Sequence, residues 1–286
     1  MPGRAKYIGS PRTSQLLPAA PGHPHPMTDL TEHESFLRAI FDGPDDDTPR
    51  LVYADFLEEH GDPDLAAFIR LGCERARLRE GTADGPGWPD RNADLVQLLD
   101  RHAPEWPWCG KPTDRGFPIP GRIALRATDL AEPDALRATV VQESPEWYGA
   151  TALGIAPGEF LLTEHIEPLF ALPFTQQVHE WDLSGHVEEL AAGPETAEAG
   201  TFALIDMNVE PVISIAAVKA LASQRGARRI QVLNLTHNNL DNDAARALAE
   251  SQYFIRLERL DLLEGNRLRG RTWQQLLAKF GEDVVG

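Results

Sequence analysis

The sequence predicts an α/β protein, in which a small all-α region is followed by a stack of repeated strand–helix units. Three observations carry this. Residues 28–80 read as short helices separated by Gly and Pro. In the second half, leucine-type positions recur every 26 to 27 residues. Helical patterns fall between those strand-like segments.

The helical region opens with Thr31 three residues before Glu34, the spacing of a capping box. Phe36, Leu37, Ile40 and Phe41 then share one helical face, and Gly43-Pro44 ends the helix. Three aspartates and Thr48 precede Pro49, a residue suited to a first helical position. A second helix over 49–60 is expected to turn Leu51, Val52, Phe56 and Leu57 inward, with Glu58 and Glu59 in solvent and Gly61 as the stop. Asp62-Pro63 starts a third helix that buries Leu65, Phe68, Ile69, Gly72, Cys73 and Ala76. It closes on Arg75, Arg77 and Arg79, where cations meet the negative end of the helix dipole.

The carboxylates Asp45, Asp46, Asp47, Asp55, Glu58, Glu59 and Asp62 admit two readings. Capping and surface solvation explain aspartates that precede Pro49. A metal-dependent hydrolase or metal-binding module is the alternative, because a hard cation wants several converging oxygens. The D-x-D-x-D-G spacing of a calcium loop is missing. The expectation is capping, with no metal and no cofactor.

The string PDDDTPRLVYADFLEEHGDP at residues 44–63, followed by Phe68-Ile69-Arg70, resembles the bacterial, planctomycete-type repeat-companion domain. The likeness covers residues 32–80, with Phe56 where that family usually has Trp. It implies an N-terminal module that precedes leucine-rich or other repeats, with no established activity. Residues 81–114 form the connector. A loop over 80–90 precedes one amphipathic helix over 92–102 carrying Leu95, Val96, Leu98 and Leu99. Trp106, Pro107 and Trp108 then suit a hydrophobic plug. The stretch through Arg115-Gly116-Phe117 resembles what joins the companion domain to its repeats.

Over 115–286 the template L-x-x-L-x-L-x-x-N-x-L appears at Ile230, Leu233, Leu235, Asn238 and Leu240. It recurs at Leu257, Leu260, Leu262, Asn266 and Leu268, with one residue inserted. Weaker copies lie at Leu204, Met207 and Val209, and at Val178, Trp181 and Leu183 with His186 in the Asn slot. The first positions, 178, 204, 230 and 257, are 26, 26 and 27 residues apart. Helices are expected over 215–223, 243–251 and 271–280, and an earlier degenerate unit runs from Phe117 through Leu125 to a helix near Phe160–Phe170. This half therefore resembles leucine-rich repeats of the long, helix-containing type. The resemblance implies a short solenoid with parallel strands on a concave face, helices on the convex face and inward asparagines satisfying backbone groups.

Side chains alternate along a strand, so the residues flanking the inward positions would line the concave face. These are Glu180, Asp182 and Ser184; Asp206, Asn208 and Glu210; Val232, Asn234 and Thr236; Arg259, Asp261 and Leu263. Five of them are acidic, and the expected partner is a protein with a basic or hydrogen-bond-donating surface.

The rest of the chain narrows the function class. It has 27 Lys+Arg against 44 Asp+Glu, a formal charge of −17. That balance argues against a nucleic-acid or anionic-membrane surface. Cys73 and Cys109 do not form a CxxC pair and suit a reducing cytoplasm. No segment reaches the ~18 apolar residues of a membrane span. Residues 1–27 hold Arg4, Lys6, Arg12 and six prolines and are expected to be a disordered tail. His165, His179, His186 and His237 are scattered, and no nucleophile-elbow, zincin or P-loop motif occurs. The expectation is a non-catalytic cytoplasmic interaction protein. A second expectation is an accessory or regulatory subunit of a larger bacterial assembly.

Overall fold

The computed structural model describes residues 30–81, 88–102, 113–188 and 208–286. The expected tail, the Trp106–Trp108 plug, Cys109, Leu204, Asp206 and Met207 lie outside them. Four helices come first: α1 (Leu30–Asp42), α2 (Thr48–Glu59), α3 (Pro63–Gly81) and α4 (Trp88–His102). At the start of α2, Asp46 Oδ1 accepts the Thr48 N–H at 2.8 Å. Asp62 does the same for Leu65 in α3, at 3.3 Å.

Two expectations for this region change. On α2, Tyr53, Ala54 and Leu57 are buried together with Arg50, while Val52 is 49% exposed. The inward face is rotated from the expected one because Arg50 takes a core position. Its Nη1 donates to the carbonyls of Asp46 (2.7 Å) and Gly43 (3.4 Å), tying down the preceding loop. Hydropathy patterns skip an amphipathic side chain used in this way. Glu34 is likewise buried, and it reaches a distant helix instead of forming the expected capping box.

A hairpin follows, β1 (Thr113–Asp114) against β2 (Phe117–Pro118). Its turn residues Arg115 and Gly116 both have positive φ, 48° and 80°. This turn rests on α3 at backbone contact. A Cβ on Gly72 would sit 2.2 Å from Gly116 N, and one on Gly116 would sit 2.7 Å from Ile69 Cα.

Five strands then form one parallel sheet in chain order. They are β3 (Arg122–Leu125), β4 (Ala152–Ile155), β5 (Glu180–Asp182) and, beyond the antiparallel pair β6 (His186–Glu188) and β7 (Asn208–Glu210), β8 (Val232–Asn234) and β9 (Arg259–Asp261). Helix α5 (Pro133–Glu143) follows β3 and α6 (Thr163–Ala171) follows β4. Helix α7 (Ile215–Ser223) follows β7, α8 (Asn242–Glu250) follows β8 and α9 (Arg271–Phe280) follows β9. Helices α6 to α9 each pack on the next in sequence. Parallel neighbours need such crossovers, and the helices cover the sheet's inner side.

The order of strands and helices differs from the expectation. Two strand–helix segments, β3–α5 and β4–α6, stand where one degenerate unit after Phe117 is expected, with β4 as an unanticipated strand. Strand β5 pairs directly with β8, and the unit expected from Leu204 begins outside the described residues. After β7, the Val212 carbonyl accepts the Leu161 N–H at 2.6 Å, and Leu161 and Ile213 form a parallel bridge outside the five-stranded sheet.

The middle residues of the strands, Ile123, Leu153, Trp181, Leu233 and Leu260, are fully buried. They belong to one continuous core that runs from Leu37, Tyr53 and Ile69 through Phe117 to Leu276 and Val285. The helical region and the sheet therefore share a core, each buried side chain worth about 1.5–3 kcal/mol of burial. Polar ties cross the same junction. Glu34 accepts both arms of Arg137 from α5 at 2.9 Å and the Tyr148 hydroxyl at 2.8 Å. Asp47 accepts from Arg77 Nε at 2.6 Å and Arg115 Nη1 at 2.8 Å.

Candidate functional site

Two asparagines at the turns after β8 and β9, one buried and one half-buried, tie the backbone beside the sheet's outer face. Asn238 is 4% exposed. Its Nδ2 donates to the carbonyls of Leu183 (2.6 Å), Thr236 (3.0 Å) and Leu235 (3.2 Å). Its Oδ1 accepts from the N–H groups of Val212 (2.7 Å) and Ile213 (3.1 Å). Asn266 repeats the pattern one unit on, accepting from Asn238 and Leu240 and donating to Leu235 and Leu262. Each amide thus serves backbone groups that leave the strand ladder at the turn. His186 does not take this place in the preceding unit. It starts β6 and pairs in register with Glu210.

Residues before and after the buried middle positions point outward. Register aligns Arg122, Ala152, Glu180, Val232 and Arg259 in one row. A second row aligns Ala124, Gly154, Asp182, Asn234 and Asp261. Ser184 and Thr236 lie just beyond. A depression of about 200 Å³ on this face is lined by Arg122, Glu180, Asp182, Val232, Asn234 and Arg259. Glu180 and Arg259 are exposed; Asp182, Ser184, Asn234, Thr236 and Asp261 are half-buried.

Of the predicted site residues, the structure gathers Glu180, Asp182, Ser184, Asn234, Thr236, Arg259 and Asp261 on this face. Val232 is with them, and Leu263 follows β9 with 51% of its surface exposed. Asn208 and Glu210 stand apart on the β6–β7 hairpin, and Asp206 falls outside the described residues. Arg122 is the functional candidate that sequence reasoning missed. Its signal is the outward position next to the buried Ile123, legible only once the strand at 122–125 is placed in register.

Most of the charge on this face is internally paired. Arg122 reaches across β4 to Asp182 on β5. It passes over Gly154, where a Cβ would stand 2.9 Å from its Nη2. Asp182 Oδ1 accepts from Ser184 Oγ at 2.6 Å and Ser184 N at 3.2 Å. Asn234 Oδ1 accepts from Thr236 Oγ1 and N in the same way, at 2.9 and 3.1 Å. Arg259 donates Nε and Nη2 to Asp261 Oδ2, at 2.8 and 2.7 Å. Burial pushes the Asp182 carboxyl up, but the Ser184 and Arg122 hydrogen bonds more than offset it and hold it below the usual range. The Asp261 hydrogen bond raises Arg259.

The Asp45–Asp62 carboxylates do not come together as a centre. Asp46 and Asp62 cap helices, Asp47 binds two arginines, and Asp55 and Glu58 clamp Arg70 at 2.6 Å each. Among the described residues, no three His, Cys, Asp or Glu side chains are grouped to hold a metal ion. No helix among them is long and apolar enough to cross a membrane. The histidines sit on separate elements: His165 on α6, His179 before β5, His186 on β6 and His237 after β8. Cys73 is buried, its thiol pushed up to about 12 by that burial. A thiol so held is not a nucleophile at neutral pH. A second, more open depression of about 410 Å³ lies on the helical region beside Phe36, Phe56 and His60.

No protein-family model, no curated protein and no solved structure matches this chain.

Proposed function

We propose that the chain is a non-catalytic protein-interaction module. In this reading it is a short leucine-rich-repeat-type solenoid led by a repeat-companion-like helical domain. It holds a partner protein on the concave, outward face of its parallel sheet. It works in the cytoplasm, as an accessory or regulatory component of a larger bacterial assembly.

The observation that carries this reading is the outward face itself. Its polar side chains are aligned by strand register and held in fixed positions by one another, around a shallow depression rather than a deep pocket. Pre-positioned arginine and amide groups on rigid strands suit recognition, because little side-chain freedom is lost on binding. The carboxylate cluster at Asp45–Asp62, with its oxygens given to caps and arginines, offers a hydrolase reading no comparable support.

The test compares the full chain with a Glu180→Ala/Asn234→Ala/Arg259→Ala variant, both used as bait in native lysate of the source organism. The expected outcome is a protein captured by the wild type and lost with the variant. Equal capture by both would move the partner surface off this face.

A further inference from the structure

We infer that the outward sheet face selects an acidic side chain of an extended partner segment, seated over Asn234 between Arg122 and Arg259. This rests on the reading of that face as the partner surface. The argument is what each group has left to offer. Asp182 has both oxygens engaged, Oδ1 by Ser184 and Oδ2 by Arg122. Asp261 Oδ2 already accepts two N–H groups of Arg259. Asn234 gives its Oδ1 to Thr236, which fixes the amide orientation and leaves Nδ2 as a donor.

The arginines are similarly oriented. A Cβ on Gly154 would be 2.9 Å from Arg122 Nη2, 3.0 Å from Nε and 3.3 Å from Cζ. The nitrogens are nearer than the carbon between them, so the Nε–Nη2 edge faces the sheet and Nη1 faces away. Arg259 also spends its Nε and Nη2 on the sheet, leaving Nη1. Both side chains remain open to solvent, at 43% and 64% of their surface. The unspent groups around Asn234 are therefore mostly donors. The acceptors left are Glu180, which lies between Ala152 and Val232 in the outer row, and Asp261 Oδ1 on β9. A partner carboxylate meets those donors without breaking any pair already made. A partner cation drawn to Asp182 has to displace an arginine first, and one drawn to Asp261 meets Arg259 already on the same carboxylate. Charge-assisted bonds to guanidinium edges are the stronger kind, and they orient the group they hold.

The test pans a phage-displayed library of random linear peptides, fused through their C-termini so that no free terminal carboxylate is offered. The bait is the full chain. Two variants serve as comparison, Arg122→Gln/Arg259→Gln and, on helix α6 away from the outer sheet face, the exposed Glu164→Gln, each checked for an unchanged thermal transition. The expected consensus carries Asp or Glu at one fixed position. Synthetic peptides from it should bind the double variant about tenfold more weakly or worse, and bind Glu164→Gln within about twofold. A consensus that is basic or without acid, bound equally by the double variant but lost with Glu180→Ala/Asn234→Ala/Arg259→Ala, overturns the inference and leaves the interaction reading standing. Failure to enrich any peptide that the triple variant does not also bind overturns both.

Discussion

At the scale of single residues, the side chains that hold this fold together most tightly are polar and join distant parts of the chain. Glu34 is 3% exposed, and it accepts the fork of Arg137 and the hydroxyl of the buried Tyr148. Glu34→Ala strands that hydroxyl and removes the guanidinium's bidentate partner. The expected loss is about 3 kcal/mol, toward the lower end for a broken buried pair because Arg137 keeps some contact with water. Glu34→Gln should cost less, and urea unfolding of the two variants separates them. Asp47 makes a pH-dependent contribution. Burial pushes its carboxyl up, but hydrogen bonds from Arg77 and Arg115 pull it further down, so it lies below the ordinary value. A depressed acid stabilises the fold fully above its unfolded pKa of about 3.9 and loses that contribution as pH falls through the folded value. Asp47→Asn should therefore be less stable than wild type near neutrality, by about 1–2 kcal/mol. The gap should close as unfolding is followed down toward about pH 2.

At the scale of elements, the decisive contact is the hairpin turn of residues 115–116 against α3. Gly72 and Gly116 let two backbones touch, and any Cβ there meets main chain, which cannot swing away. Gly72→Ala gains about 1 kcal/mol of helix propensity yet should lower stability by about 2–4 kcal/mol, a sign that a thermal melt reads directly. This contact also marks where sequence reasoning stops. Pro, Gly and cap residues announce the helices, since their effects are local, and α7 and α9 fall where expected. Inward leucines and Asn238 announce β5, β8 and β9, because the strand alternation and the amide's task at the turn are also local. Strand β4 was illegible: its outward residues are Ala152 and Gly154, which carry no polar alternation. Their smallness makes sense only beside Arg122, which needs the space above Gly154. The unit expected at Leu204 repeats the spacing without the turn asparagine, and it begins outside the described residues. Glu34 fitted a capping box three residues from Thr31, and nothing nearby in sequence reveals that Arg137 competes for it from 103 residues away. The acidity of the candidate site was legible, but its neutralisation by Arg122 was not, because that pairing depends on strand order.

For the whole molecule, the question is how a sheet open at both ends avoids pairing with other sheets. On the β3 side, α1 packs on α5 and on the turn at 145–149 that precedes β4, and the ring of Phe41 fills the space over Gly149. On the β9 side, residues 284–286 act as the closing strand. Leu260 N donates to Val284 O and Leu262 N to Gly286 O, each at 2.7 Å, while Gly286 N donates back to Leu260 O at 2.9 Å. Val285 is buried behind them and belongs to the common core. An uncovered strand edge presents unpaired N–H and C=O groups to any other edge. Removing residues 284–286 uncovers the Leu260 and Leu262 amides and the apolar site of Val285 together. The shortened chain is expected to self-associate with rising concentration, read as a growing mass by light scattering, while the intact chain keeps a constant mass over the same range. Val285→Asp separates the two causes. It keeps the backbone strand but makes burial of the side chain costly, so it should loosen the cap and reproduce part of the self-association. A shortened chain whose mass does not change with concentration would mean that β9 is protected by something other than this segment.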